Sequence, residues 1–152
     1  MLVFGGHNAA FLIISSLERY DASTNEWEEE AVAPMATARK SHGVAVLHDK
    51  LYAVGGFNGD DGNLSSVERY DPAVGAWEAV APMALARFGA GVAALEGKLY
   101  AVSGRVEEEP PVEANTVERF DPATNTWEEV SPVATARAFA VVLLMLSTVK
   151  ID

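Results

Sequence analysis

The sequence predicts an all-β chain of repeated four-stranded antiparallel sheets, and three observations carry that prediction. Trp27, Trp77 and Trp127 are all the tryptophans, and they stand 50 residues apart. Leu17-Glu18-Arg19-Tyr20-Asp21, Val67-Glu68-Arg69-Tyr70-Asp71 and Val117-Glu118-Arg119-Phe120-Asp121 keep the same interval. Gly5-Gly6, Gly55-Gly56 and Ser103-Gly104 form a further column, and Arg39, Arg87 and Arg137 another. The glycine and arginine columns slip by two residues, because Glu28-Glu29-Glu30-Ala31-Val32 stands where the second copy has only Glu78-Ala79-Val80. Self-similarity at a fixed period of this length marks a repeat architecture.

Each element of the unit can be justified from the second copy. Val44-Ala45-Val46-Leu47 is a short apolar run closed by the turn chemistry of His48-Asp49-Lys50. Leu51-Tyr52-Ala53-Val54 follows and stops at Gly55-Gly56, which can take backbone angles closed to other residues. Asn58 to Asn63 reads as a turn, and its acids lack the spacing of a calcium loop. Ser66-Val67-Glu68-Arg69-Tyr70 alternates apolar and polar until Asp71-Pro72 ends it. Trp77-Glu78-Ala79-Val80 makes a fourth strand, terminated by Pro82, which has no N–H to give a ladder. The first two strands are apolar on both faces, as suits a sheet packed between two others.

Four-stranded sheets repeating every 48 to 50 residues point to a β-propeller, in which each blade buries its faces against its neighbours. The expected division is a partial blade over 1–36 (strands two to four), complete blades over 37–84 and 85–134, and a partial blade with tail over 135–152. That is three blades' worth of strands. Propellers close with four to eight blades, so the expectation is either a fragment of a longer ring or a homodimer closing a six-bladed one. The apolar run Ala138 to Leu146 would then complete the broken blade of a second chain.

The repeat resembles the kelch repeat. The matching residues are the paired glycines, the Tyr of Glu-Arg-Tyr-Asp, and the Trp that follows seven residues after Tyr20, Tyr70 and Phe120. The departures are Ser103 for the first glycine of its pair and Phe120 for the tyrosine. The resemblance implies a kelch-type propeller segment whose work is protein–protein interaction through one rim. In kelch substrate receptors, partner peptides dock on that face and arginines at the positions of Arg39, Arg87 and Arg137 hold acidic groups. Such receptors also carry BTB and BACK domains that recruit a cullin ubiquitin ligase, a role that would belong to a longer parent protein. A cytoskeletal or scaffold propeller is the alternative, and the expected compartment is the cytoplasm.

In an antiparallel meander, the loop before strand one and the loop between strands two and three share one end of the sheet. The expected partner-binding residues are therefore Arg39, Lys40, Arg87, Arg105 and Arg137, joined by His7, Asn8, Phe57 and Asn58. Arginine's planar fork suits carboxylates, so the expected partner is a protein or an acidic peptide. The competing reading is structural: an arginine repeated in every unit can pair with a carbonyl or carboxylate of the adjacent blade. For the column Arg19, Arg69 and Arg119, beside Glu18, Glu68 and Glu118, the structural reading is the stronger one.

Composition narrows the remaining classes. Eleven Lys and Arg against 22 Asp and Glu leave a net charge of −11, which argues against nucleic acid and anionic membranes. The longest apolar run, Ala138 to Leu146, is less than half a membrane span. There is no cysteine, which removes the cysteine-linked tyrosine of the copper oxidases among kelch enzymes. His7, His42 and His48 show no metal-binding spacing. No catalytic residue, cofactor or metal is expected, and a kelch-type enzyme acting on sugars is the lesser alternative.

Overall fold

The computed structural model describes residues 1–28, 33–106 and 112–142. Expectations for Glu29-Glu30, for the acidic loop Glu107-Glu108-Glu109-Pro110-Pro111, and for the apolar run past Val142 lie outside the described residues. Every regular element among them is a strand.

A first sheet holds β1 (Leu2–Phe4), β2 (Leu17–Asp21) and β3 (Glu26–Glu28) in that order. A second holds β4 (Gly43–Leu47) and β5 (Lys50–Val54); the hairpin β6 (Phe57–Asn58) and β7 (Gly62–Asn63) rises from the connection that leads on to β8 (Val67–Asp71) and β9 (Ala76–Val80). The four long strands run β4-β5-β8-β9, all antiparallel. The third repeats the plan. After β10 (Arg87–Phe88) come β11 (Gly91–Leu95) and β12 (Lys98–Val102), the short β13 (Arg105–Val106) and β14 (Val112–Glu113), then β15 (Val117–Asp121) and β16 (Thr126–Val130). Its sheet order is β11-β12-β15-β16, and β10, β13 and β14 form a separate three-stranded ribbon.

Local chemistry explains these borders. His48 and Asp49, at φ 49° and 59°, form the two-residue turn of β4–β5, with both central residues left-handed as the tight hairpin turn requires. Glu96-Gly97 does the same in the third sheet. Within each sheet the two repeat-locked aromatics meet across two strands. Tyr20 faces Trp27, Tyr70 faces Trp77 and Phe120 faces Trp127, with ring centroids 5.2–5.3 Å apart. Such cross-strand pairs are the unit of sheet stabilisation. The segment expected as a plain turn between Asn58 and Asn63 departs from expectation, because β6 and β7 pair across it. The Asn58 side chain accepts the amides of Asp60 and Asp61 and holds that reversal itself.

The second and third sheets lie side by side on a shared core of Leu47, Tyr52, Val54, Val67, Met83, Leu99, Ala101 and Phe120. Each large apolar side chain so buried contributes roughly 1.5–3 kcal/mol. The innermost strands come so close that a Cβ on Gly43 would stand 2.1 Å from Val92 Cγ2. Gly91 meets Val142 and the carbonyl of Ala140 in the same way. Residues 140–142 thus stand where the inner strand of a further sheet would begin.

Candidate functional site

The connection between sheets runs along one end of the molecule, and its main chain is fixed by repeated bonds. Arg39 N–H donates to Ile14 O, and Gly6 N–H donates to Arg39 O. Arg87 makes the equivalent pair with Leu64 O and Gly56 N–H, and Arg137 O accepts from Gly104 N–H. The arginine column is therefore anchored by backbone to the preceding sheet, and the side chains of Arg39 and Arg87 reach into the next.

Neither of those two side chains is on the surface. Arg39 and Arg87 are 0% exposed. Arg39 donates to Gly55 O at 2.8 Å, Ser66 O at 3.0 Å, Ser66 Oγ at 3.3 Å and Glu68 Oε1 at 2.6 Å. Arg87 repeats this with Ser103 O at 2.7 Å, Thr116 O at 3.2 Å, Thr116 Oγ1 at 3.0 Å and Glu118 Oε1 at 2.8 Å. Each carboxylate also accepts two amides of the connecting loop, Ala36 and Thr37 on Glu68, Ala84 and Leu85 on Glu118. The expectation that Arg39 and Arg87 present their forks to a partner is corrected: both close the junction between blades. Burial pushes the Arg87 guanidinium below its ordinary value, against the pull of Glu118. The second arginine column pairs elsewhere. Arg19, Arg69 and Arg119 reach across the strands to Glu28, Glu78 and Glu128, each at 2.5 Å. Neighbouring strand residues face opposite sides, so Glu68 and Arg69 cannot pair with each other.

The other expected residues divide. Lys40, Phe57 and His7 come together around a cavity of about 540 Å³, with Gly6, Ser41 and Phe88. Lys40 and Phe57 exchange main-chain bonds at 2.9 and 3.0 Å, and Lys40 Nζ stands 5.2 Å from the centre of the Phe57 ring. Phe57, Phe88 and Phe139 form an edge-to-face row with centroids 6.2 and 5.7 Å apart. Phe139 is 64% exposed. His7 is exposed and stacks on Phe11 at 5.7 Å. Asn58 is buried and committed to its own turn, which corrects its expected place in the binding set. Asn8 is exposed, and its side chain accepts the amides of Ala10 and Leu12. Arg105 is half-buried in β13, opposite Phe88. Arg137 is exposed, its Nε on Thr135 O at 3.3 Å.

Phe88 and Phe139 were missing from the expected set. A signal existed for Phe88, which follows its column arginine as Lys40 follows Arg39. His42 packs 5.2 Å from the Phe4 ring, and burial with the nearby Arg39 charge pushes its pKa down to about 4. Among the described residues no three His, Asp or Glu side chains are grouped so as to hold a metal.

A family model described as "Kelch motif" matches residues 38–84 and 86–133, more than half of the chain. The chain belongs to the kelch-repeat family. It is similar to Kelch-like protein 7 of Rattus norvegicus, 41% identical over 73 residues that make up 48% of the chain and 12% of that protein. Kelch-like protein 7 of Homo sapiens is 44% identical over 63 residues, 41% of the chain and 10% of that protein. Kelch-like protein 23 of Homo sapiens is 39% identical over 62 residues, 40% and 11% respectively. The chain spans about a tenth of the length of these relatives. The kelch match and the all-β blades support a protein-interaction module.

Proposed function

We propose that this kelch module binds an acidic peptide of a protein partner in the rim cavity, as the recognition part of a cytoplasmic substrate receptor of the ubiquitin-ligase type. The observation that carries this reading is the pairing of a cation with an aromatic wall at one opening. Lys40 Nζ and the rings of Phe57 and Phe88 line the same cavity of about 540 Å³. An apolar side chain fits against the two rings while a neighbouring carboxylate meets the ammonium. With Arg39 and Arg87 engaged inside, the cationic contribution at this opening falls to Lys40, flanked along the rim by Arg105 and Arg137.

The test is fluorescence anisotropy with labelled peptides carrying an aromatic residue flanked by Glu, against the same peptides with Gln in place of Glu. The Glu peptides bind and the Gln peptides bind more weakly. Lys40→Glu and Phe57→Ala each reduce the affinity while circular dichroism shows the strands retained, both side chains being half-buried at the rim rather than in the core. Equal binding of the Glu and Gln peptides, or unchanged affinity in Lys40→Glu, overturns the reading.

A further inference from the structure

A second cavity, of about 550 Å³, adjoins the rim cavity. Phe11 and Leu12, on the loop between β1 and β2, supply one wall, and Asp60 and Asp61, at the tip of the β6–β7 hairpin, supply the other. The floor is the connection Ala36-Thr37-Ala38, whose first two amides are fixed on Glu68. Walls and floor thus come from consecutive segments of the first and second blades. The two cavities share a partition, because His7 lines the first, Phe11 lines the second, and their rings stack at 5.7 Å.

Opposite chemistry meets across that partition. On the inner side stands Lys40 with its aromatic wall. On the outer side both aspartates are exposed, and the Asp60 carboxylate has no cation or hydrogen-bond donor on it among the described residues. Asp61 Oδ2 accepts Asn58 Nδ2 at 2.9 Å, and Asn58 Oδ1 takes the amides of both aspartates, so the pair is held in place. The cations close in sequence are engaged elsewhere, Arg39 on Glu68 and Lys40 over the Phe57 ring. The apolar wall is held at a cost. Phe11 has φ 61°, a left-handed conformation that is rare for a bulky side chain, and is 82% exposed beside Leu12 at 63%. Asn8 fixes that turn: its carbonyl accepts the Phe11 amide at 2.9 Å and its side chain accepts the Leu12 amide at 3.1 Å. Strain maintained to keep an aromatic ring in water points to a use for the ring.

We propose that this outer cavity takes a lysine or arginine side chain of the partner peptide. The methylene stem lies against Phe11 and Leu12, and the cationic head meets the Asp60 carboxylate with Asp61 beside it. The inference deepens the rim reading and rests on it for the peptide that carries the side chain. Its consequence is direction. A peptide with its acid on Lys40 and its base on Asp60 gains at both cavities. The same peptide reversed sets like charges together at both, so neighbouring cavities of opposite sign select one polarity of docking as well as one composition.

Amide chemical shifts of the isotope-labelled full chain test the two cavities separately, with N-acetyl-arginine amide and N-acetyl-glutamate amide as probes. The arginine probe moves the amides of Asp60, Asp61 and Leu12, and Asp60→Asn abolishes those shifts. The glutamate probe moves the amides of Lys40 and Phe57. Outer amides that ignore the arginine probe, or that respond equally in Asp60→Asn, would overturn the proposal, whereas a glutamate probe without effect counts against the rim reading alone. Fluorescence anisotropy then joins the two: the aromatic peptide flanked by Glu is extended through Gly-Ser spacers of increasing length to end in Arg or in Gln. At the spacer that fits, Arg binds about fivefold more tightly than Gln, and the advantage disappears in Asp60→Asn. Phe11→Gly relieves the left-handed strain and removes the ring; with its strands retained by circular dichroism, it too lowers the advantage. An Arg peptide no better than its Gln counterpart at every spacer, or an advantage undiminished in both variants, would overturn the assignment.

Discussion

Truncating Arg87 to Ala separates a rim arginine from a junction arginine, because the two roles predict different stabilities. The side chain makes four hydrogen bonds and is 0% exposed, so its removal leaves Glu118, itself 2% exposed, without its counter-charge. Two amides still bind that carboxylate, from Ala84 and Leu85, which lessens the loss without neutralising the charge. Breaking one side of a buried pair costs about 3–5 kcal/mol. For a chain of this size each kcal/mol lowers the melting temperature by roughly 2–4 °C, so Arg87→Ala falls by on the order of 10 °C. Differential scanning calorimetry reads that fall directly. Arg87→Met with Glu118→Leu removes both charges together and recovers part of the loss, since no ion is stranded while the amides of Ala84 and Leu85 lose their acceptor. A drop below about 2 °C in Arg87→Ala would refute the junction role.

Three more outcomes follow from single contacts. Ser103 holds φ 60° where its counterparts are Gly5 and Gly55, and its buried Oγ has no partner among the described residues. Ser103→Gly therefore stabilises by about 1 kcal/mol in chemical denaturation, and a destabilised variant would contradict that account. Gly43→Ala sets a methyl 2.1 Å from Val92 Cγ2 and costs about 1–3 kcal/mol as overpacking; Val92→Ala in the same chain recovers part of it, and additive losses would argue against the contact. His42 has its folded pKa lowered to about 4 from an ordinary 6.5, so its neutral form is the one the fold favours. The unfolded chain binds the proton first as pH falls from 6.5 toward 4, and stability on the order of 2–3 kcal/mol is lost over that window. Comparing wild type with His42→Gln by urea titration isolates that slope from the carboxylates, and parallel curves would dismiss it.

The blades were legible because the residues that build them recur at a fixed interval. Trp77 lies opposite Tyr70 on the neighbouring strand, and proline and glycine punctuate the same places in each copy. The direction of the arginine side chains was not legible in the same way. Position in a loop placed Arg39 and Arg87 at the rim, and their backbones are indeed there, but a long side chain can turn under its own loop. What decides the direction is Glu68 and Glu118, whose partners are Arg39 and Arg87 rather than the adjacent Arg69 and Arg119. The alternation of a strand held the missing clue: Glu68 faces away from Arg69, so each needs a partner from another segment. Arg69 finds Glu78 across the ladder, and Glu68 finds Arg39 across the junction. Asn58 misled for a related reason, since an asparagine in a turn bonds its own backbone before it meets anything else.

The same geometry accounts for how a chain of charge −11 can hold its blades together and still offer a cationic opening. Apolar burial draws sheets together without fixing how far one slides along the other, because it has no direction. The arginine clasp supplies the direction: one guanidinium bridges two carbonyls and one carboxylate of the next blade, and two loop amides grip that carboxylate as well. A blade shifted by one residue would leave all of these groups buried and unmatched, a penalty far above the worth of any one bond. Because Glu68 and Glu118 cancel Arg39 and Arg87 inside the protein, those arginines add little to the field outside. The rim's character then rests on the residue after each arginine, Lys40 in one blade and Phe88 in the next. On the proposed rim reading, substituting at those two positions changes what the rim can hold while leaving the clasp intact.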